Sequence, residues 1–496
     1  MKPIINNSNV SIASANYEIT YPQESPYHPG EEFPELLNNC NISENGNEVY
    51  SLFREILFLL GLDKENFGSQ KWNPLGDIIE PGQNVLIKPN FVRHLHMAGG
   101  DLNSVITHGS VIRCALDYVA LALNGSGSIT VGDAPIQSAE FDKIIAHVNL
   151  NEICKNFTNN WGMEVNIVDF RLASIKIDKN HRVLEENSLE GDTNGYCSVD
   201  LGQHSLLAEL GADSSKFRVT SYNCDELKNH HNEKINEYLI PQTVLNADVV
   251  INLPKLKTHR KVGITAALKN LVGINGFKDW LPHHRCGSLK EGGDEYKIPS
   301  VLKRMRALLS EQKLSQTKLE FNPVRTFAIR VINRLVKTID NNSYEEGSWY
   351  GNDTIWRTVL DLNRLLIYSD KNGKLQNENQ RYILTIVDGI IAGEGEGPMQ
   401  PDAKNCGVLV GGVNPVAIDT VISKFIGFDY KKISLLKNAF NETEWPLVNF
   451  KPDDIRIRYG IDHAVGQPIT SFKKRYDFTP PSGWYKHIEY SENQSN

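Results

Sequence analysis

The sequence predicts an α/β protein with a doubly wound, mostly parallel sheet and a helical insertion. Strand-like and helix-like runs alternate from Val85 to Asp169, the rhythm of strands joined by covering helices. The strand-like runs are short and apolar, as befits strands buried on both faces. A long segment, 290–375, breaks this alternation with a helical pattern of its own.

Taken in order, residues 1–47 are rich in Asn, Ser, Pro and Glu and read as an extended arm with no core of its own. A helix is predicted near Val49–Leu60, where Leu52, Ile56, Leu57 and Leu60 follow helical spacing. The turn Pro81-Gly82 precedes the strand Val85-Leu86-Ile87, which ends in Lys88-Pro89-Asn90. Thr107 is placed to cap a helix over Val111–Leu123, with Gly125 and Gly127 as its stop. A second strand, Ile129-Thr130-Val131, ends at Gly132-Asp133, and a third, Val165–Val168, ends at Asp169. Strand Val249–Leu253 runs into a loop, Pro254-Lys255-Leu256-Lys257-Thr258-His259, followed by a helix over Gly263–Leu271. The last unit is a strand at Ile383–Val387, a Gly-rich loop, a strand at Val408–Val410 and a helix from Pro415, with Asn414 as its cap. The boundaries that follow are an arm at 1–47, the first part of an α/β body at 48–289, the insertion at 290–375, the second part of the body at 376–460 and a tail at 461–496.

Hydrophobic residues make up 40% and charged residues 23%, an ordinary globular composition. Lys and Arg number 52 against 60 Asp and Glu, and this mild acidity argues against a nucleic-acid partner. The seven cysteines include no CxxC pair, so no iron–sulfur cluster is expected. Their scatter fits reduced thiols. Met1–Tyr21 lacks the apolar run of a secretory signal, and no stretch approaches the roughly 20 apolar residues of a spanning helix. The expected location is the cytoplasm.

Ligands of open parallel sheets gather beyond the carboxyl ends of the strands. That rule selects Lys88–Asn90, Asp133, Lys255–His259 and Asp388–Gly397. Lys255, Lys257, Arg260, Lys261, Lys269, Lys278 and Arg285 fall in one stretch with a single acid, Asp279. Ammonium groups at a strand end, with a helix N-terminus behind them, suit phosphate or carboxylate. A solvated basic face is the competing reading, but an apolar strand leads into this stretch and Lys269-Asn270 lies inside an apolar helix. The substrate-binding residues expected are Lys88, Asn90, Lys255, Lys257 and Asn270. The expected catalytic residues are Asp133, His259 and Lys269: Lys269 binds and polarises the anion together with Lys255 and Lys257, Asp133 or Asp388 serves as base or metal ligand, and His259 is the proton shuttle. Asp388, Glu394 and Glu396 are the acidic counterpart, spaced to hold a divalent metal, with solvated acids on a glycine turn as the equal alternative. Asp419, early in the Pro415 helix, can simply complement that helix dipole.

From Val324 to Ile339, apolar residues Val324, Phe327, Ala328, Val331, Leu335 and Ile339 share one helical face, while Arg325, Arg330, Arg334 and Lys337 occupy the rest. Such a helix can dock on an anionic membrane surface or a protein partner, although packing on its own domain is the commoner use.

The ordered set Val85-Leu86-Ile87-Lys88-Pro89-Asn90, Gly132-Asp133-Ala134, Pro254-Lys255-Leu256-Lys257-Thr258-His259, Lys269-Asn270-Leu271-Val272-Gly273, Val387-Asp388-Gly389 and Asn414-Pro415-Val416-Ala417-Ile418-Asp419 resembles the domain of unknown function 362 family over roughly residues 80–430. That resemblance implies no settled reaction. Some members carry a module with cysteine-ligated clusters, whose cysteines this chain lacks. Three functions compete. The first is an enzyme acting on a small anionic metabolite, with metal-assisted transfer or hydrolysis as its reaction. The second is a non-catalytic ligand-binding or docking protein. The third is a redox protein relying on a cluster in another subunit.

Overall fold

Successive side chains of a strand point to opposite faces, and the short apolar runs use both. Val85, Ile87, Val249, Ile251 and Leu253 enter one core, while Leu86 and Val250 enter a second on the other side of the sheet. The computed structural model describes residues 4–490 except 16, 38, 178–182, 211–213, 220–223, 306, 308–327, 329, 330, 333, 337–343, 345 and 461–465.

The described strands are β1 (Asn9–Ser14), β2 (Asn84–Pro89), β3 (Ser128–Asp133), β4 (Val165–Asp169), β5 (Ala173–Ile177), β6 (Val183–Ser188), β7 (Tyr196–Asp200), β8 (Phe217–Arg218), β9 (Glu237–Pro241), β10 (Val249–Leu253), β11 (Lys255–His259), β12 (Gly263–Thr265), β13 (His284–Arg285), β14 (Tyr382–Glu394), β15 (Asp402–Gly412), β16 (Arg456–Tyr459) and β17 (Gln467–Pro468). An eleven-stranded sheet has the order β17-β16-β1-β15-β14-β10-β2-β3-β4, with β11 alongside β14 and β12 beyond β11. The pairs β14–β10, β10–β2, β2–β3 and β3–β4 are parallel. β2, β3 and β4 step outward in one direction and β10 and β14 in the other, so the order reverses between β2 and β10. Helices Glu48–Leu59, Gly109–Leu123 and Leu150–Trp161 supply one core; helices Ile355–Tyr368 and Pro415–Phe425 supply the other.

The structure is α/β, and the large sheet is mixed: antiparallel pairs stand beside the parallel ones. β15 returns antiparallel to β14, because neighbouring strands joined by a short connection run in opposite directions, and the N-terminal β1 pairs antiparallel with β15. The Gly-rich segment expected as a loop is part of β14 as far as Glu394. Its glycines are there for close packing: a Cβ on Gly389 would lie 2.8 Å from Val408, and one on Gly393 would lie 2.9 Å from the Ser104 carbonyl oxygen. The expected Lys255–His259 loop is β11, buried throughout. The helix expected over Gly263–Leu271 is β12 followed by a single α-helical turn, Ala267–Asn270.

The N-terminal arm does more than lie on the body. β1 sits between β15 and β16 with Val10, Ile12 and Ala13 fully buried. Likewise Phe472, Trp484 and Ile488 of the tail are buried in the second core. Within 290–375, every residue of helix Ile355–Tyr368 is buried, so this part of the expected insertion is central to the body. Of the docking face at 324–339, only Ala328, Val331, Ile332, Arg334, Leu335 and Val336 are described, and its other residues lie outside the described set. Val331 and Leu335 are exposed there, and Ile332 and Val336 are the buried positions. Among the described residues, no helix is long and apolar enough to cross a membrane.

Candidate anion site

Thr107 ties the two strands that flank the reversal. Its hydroxyl donates to the Leu253 carbonyl (2.6 Å) and accepts from the Asn90 N–H (2.9 Å). It is not the helix cap; His108 is, its Nδ1 accepting from the Ser110 N–H. Past the ends of β2 and β10, polar side chains form a continuous buried layer.

Lys88 is fully buried, and its ammonium lies 2.7 Å from Asp133 Oδ1. Asp133 also accepts from the backbone N–H groups of Phe91 (2.7 Å) and Ala134 (2.8 Å). Asp133 thereby holds Lys88 and ties the two strand ends together. Gly273 lies against this pair, where a Cβ would stand 2.1 Å from Asp133 Oδ1 and 2.6 Å from Lys88 Nζ.

A second layer is a relay of amides. Lys257 Nζ donates to Asn90 Oδ1 (2.7 Å) and to the Val105 carbonyl. Asn90 Nδ2 donates to Asn270 Oδ1 (2.8 Å), and Asn270 Nδ2 donates to Asn252 Oδ1 (2.7 Å) and the Lys88 carbonyl (3.2 Å). Asn252 Nδ2 donates to the Ala267 carbonyl (3.1 Å) and Thr385 Oγ1 (3.2 Å). Every donor points away from the ammonium, so each bond polarises the next. Asn252 escaped the sequence reading, although an Asn inside Val-Val-Ile-Asn-Leu was the available signal.

Lys255 belongs to a neighbouring cluster. Its ammonium meets Asp388 Oδ2 (2.7 Å), the Tyr21 hydroxyl (2.6 Å) and the Ile391 carbonyl (3.3 Å). The Tyr21 hydroxyl donates to Asp388 Oδ1 (2.5 Å), and the His108 N–H donates to Oδ2 (3.1 Å). Tyr21 stacks on His108 with ring centroids 4.0 Å apart. The N-terminal segment therefore covers this ion pair, a role for Tyr21 that no local sequence pattern signals.

The three carboxylates expected to share a metal have separate partners. Asp388 is held as above, Glu394 accepts from Lys404 Nζ (2.7 Å) and the Thr479 N–H (2.9 Å), and Glu396 accepts from the Ser482 N–H (2.6 Å). Among the described residues, no three His, Cys, Asp or Glu side chains are grouped to hold a metal ion. The extended backbone of β14 spreads the acids that a loop would have gathered. Asp419 also has another task than the one expected: its oxygens accept from the N–H groups of Ala267 (2.7 Å) and Leu268 (3.0 Å), capping the turn that carries Lys269 and Asn270. Burial raises its pKa to about 7.

Burial lowers the pKa of Lys88 and of Lys255, opposed by Asp133 and Asp388 respectively. Lys257 lies well below the usual lysine range because it is buried and stands near Lys255 and Lys269. Burial, and then the charge of Lys88, push Lys269 down to about 8. Lys278, also buried, falls to about 7. His259 lies well below its usual value through burial and the neighbouring charges of Lys269 and His283, so it is neutral. Its Nδ1 accepts from the Lys261 N–H (3.1 Å), which leaves the proton on Nε2. Lys278 reaches only the Val272 carbonyl, at 3.4 Å. Lys269 is half-buried and makes no hydrogen bond to a described residue. Chemically, the arrangement is a floor of buried and partly buried lysines in which most nitrogens are held by acceptors and Lys269 has none among the described residues.

The chain belongs to the family described as Domain of unknown function (DUF362), which matches residues 177–424. The matched range contains Lys255, Lys257, Lys269, Asn270, Asp388 and Asp419; Lys88, Asn90 and Asp133 precede it. The chain is also similar to a thylakoid-associated protein of Synechocystis sp., 23% identical over 241 residues, which are 48% of this chain and 47% of that protein. It therefore spans about half the length of that curated relative. A crystal structure of a protein from Thermotoga maritima is matched at 11% identity over 71% of this chain and 54% of that one, with a TM-score of 0.27. A superposition that poor carries no argument about this chain.

Proposed function

We propose that this member of the DUF362 family is an enzyme that binds a small phosphorylated or carboxylated molecule where the strand order reverses. The parallel half of the sheet is read as a doubly wound unit, whose ligands gather at such a point. The observation that carries the proposal is an imbalance of charge. Lys88, Lys255, Lys257, Lys269 and Lys278 lie beneath the strand ends, and among the described residues only Asp133 and Asp388 form ion pairs with them. Buried cations without counterions destabilise a fold unless a ligand supplies the missing charge.

Lys269 and Lys278 are the groups placed to contact the anion. Lys88 provides a fixed positive charge behind them, held by Asp133, and Lys257 is held in place by the amide relay. Neutral His259 has Nδ1 occupied by the Lys261 N–H and keeps Nε2–H as a hydrogen-bond donor. Transfer or hydrolysis at a phosphate or carboxylate is the chemistry such a site favours. Cys40, Cys114, Cys154, Cys197, Cys286 and Cys406 are free thiols, in keeping with a reducing compartment such as the cytoplasm.

The test is thermal unfolding with inorganic phosphate, pyrophosphate or citrate at matched ionic strength. A ligand at about 100 times its Kd stabilises by about 2.7 kcal/mol. With roughly 2.1 cal/mol/K of unfolding entropy per residue, a chain of this length would then melt about 3 °C higher. Lys269→Met should lose that shift. No shift with any of the three anions, or an unchanged shift in Lys269→Met, would count decisively against the proposal.

A further inference from the structure

The lysines of this site differ in what their nitrogens can do. Lys88 is occupied by Asp133 and the Pro89 carbonyl, Lys255 by Asp388 and Tyr21, and Lys257 by Asn90 and the Val105 carbonyl. Lys278 is 7% exposed and keeps a long contact to the Val272 carbonyl. Lys269 alone among these five has no acceptor among the described residues, and it is half-buried rather than closed off. Its backbone is nonetheless fixed, because Asp419 caps the turn at Ala267 and Leu268 and Asn270 is locked into the amide relay. An amine held on a rigid turn, unpaired and surrounded by cations, is arranged as a nucleophile.

From this geometry we infer that Lys269 forms an imine with a carbonyl carbon of the bound anion, so that the substrate is a small oxo acid or a phosphorylated aldehyde or ketone. The inference rests on the anion reading above and deepens it. With its pKa near 8, about a quarter of Lys269 is free amine at pH 7.5, against on the order of a thousandth for an ordinary lysine. In the reaction the Lys269 nitrogen attacks the carbonyl carbon and the C–N bond forms. The carbonyl π pair moves to oxygen, which takes up a proton as the nitrogen loses one, the proton passing through solvent at this partly exposed residue. The carbinolamine hydroxyl then takes a proton from solvent and leaves as water, giving a protonated imine with no oxidant or reductant consumed. Lys88, ion-paired with Asp133, remains cationic to hold the phosphate or carboxylate.

The experiment is borohydride trapping on the full chain, with pyruvate, glyoxylate and pyridoxal 5′-phosphate as carbonyl probes and peptide mass mapping as the readout. Melting with inorganic phosphate is measured in parallel. The expected result is about one reduced adduct per chain, on Lys269, suppressed by excess phosphate. In Lys269→Arg, which keeps the charge, labelling should fall on the order of tenfold or more, to the level of ordinary lysines. If phosphate raises the melting temperature but no probe gives an adduct, the imine inference is overturned and the anion reading stands. If neither effect is seen, both fall. An adduct on Lys278 or spread over surface lysines also overturns the assignment to Lys269.

Discussion

In Asp388→Asn the ammonium of Lys255 stays where it is and its counter-charge disappears. Both side chains of the pair are fully buried, 2.7 Å apart. The wild-type carboxylate also accepts from the Tyr21 hydroxyl and the backbone N–H groups of His108 and Ile390. An Asn side chain has one acceptor oxygen and turns an NH₂ towards at least one of these donors. Removing one partner of a buried pair costs about 3–5 kcal/mol. With roughly 1 kcal/mol/K of unfolding entropy for a chain of this length, the melting temperature should fall by about 3–5 °C. The loss should also depend on pH. Burial already holds Lys255 below its unfolded pKa, and Asp388 opposes that shift, so the substitution lowers the folded pKa further. A lysine with a depressed folded pKa binds fewer protons in the folded state, and stability rises with pH between the folded and unfolded values. The deficit should therefore be largest near neutral pH and shrink as pH approaches that of an ordinary lysine. Thermal unfolding followed by circular dichroism at several pH values measures both effects. A further Lys255→Met substitution should recover part of the loss. A drop below about 1 kcal/mol, or one that is the same at every pH, would refute the assignment of Asp388 as the counterion of a charged Lys255.

Asp419→Asn should flatten the pH dependence of stability between about pH 4 and 7. The wild-type carboxyl, raised to about 7 in the fold, binds a proton that the unfolded chain has released, so wild-type stability falls as pH rises through that window, by at most about 1.4 kcal/mol per unit; melting temperatures of both proteins across the range check this. Asn270→Ala should cost about 2–4 kcal/mol in denaturant unfolding, since it strands buried groups of Asn90, Asn252 and the Lys88 carbonyl; a loss under about 0.5 kcal/mol would show that the relay contributes nothing. Gly273→Ala places a methyl group 2.1 Å from Asp133 Oδ1 and should lose about 1–3 kcal/mol together with the phosphate-induced shift; a variant that melts and binds phosphate like wild type would refute the close packing of this turn on the Lys88–Asp133 pair.

The strands β2, β3 and β10 and the cap at Asn414 were legible because each is written locally. The apolar runs are bounded by turn residues, and Asn414 accepts from the Val416 and Ala417 N–H groups, as an Asn before a helix-starting proline should. The polar types at the strand ends were legible for the same reason: Lys88, Asn90, Asp133, Lys257 and Asn270 do meet, through Asp133 and the amide relay. Lys255–His259 was misread as a loop because four polar side chains in five residues suggest solvent. In the fold each of the two lysines there finds an acceptor on a distant segment, and its stem lies buried beside β14. Local composition cannot reveal a partner more than a hundred residues away.

What the sequence by itself determined is the alternation of strands and helices and the kinds of charge at the strand ends, since both follow from short-range periodicity. Only the tertiary structure decided which charges are satisfied. It paired Asp388 with Lys255 under Tyr21, turned Asp419 onto the turn that bears Lys269, and left the Lys269 ammonium without an acceptor among the described residues. Those outcomes depend on which distant segments become neighbours across the sheet, because a buried charge is stabilised or left open by the groups within a few ångströms of it.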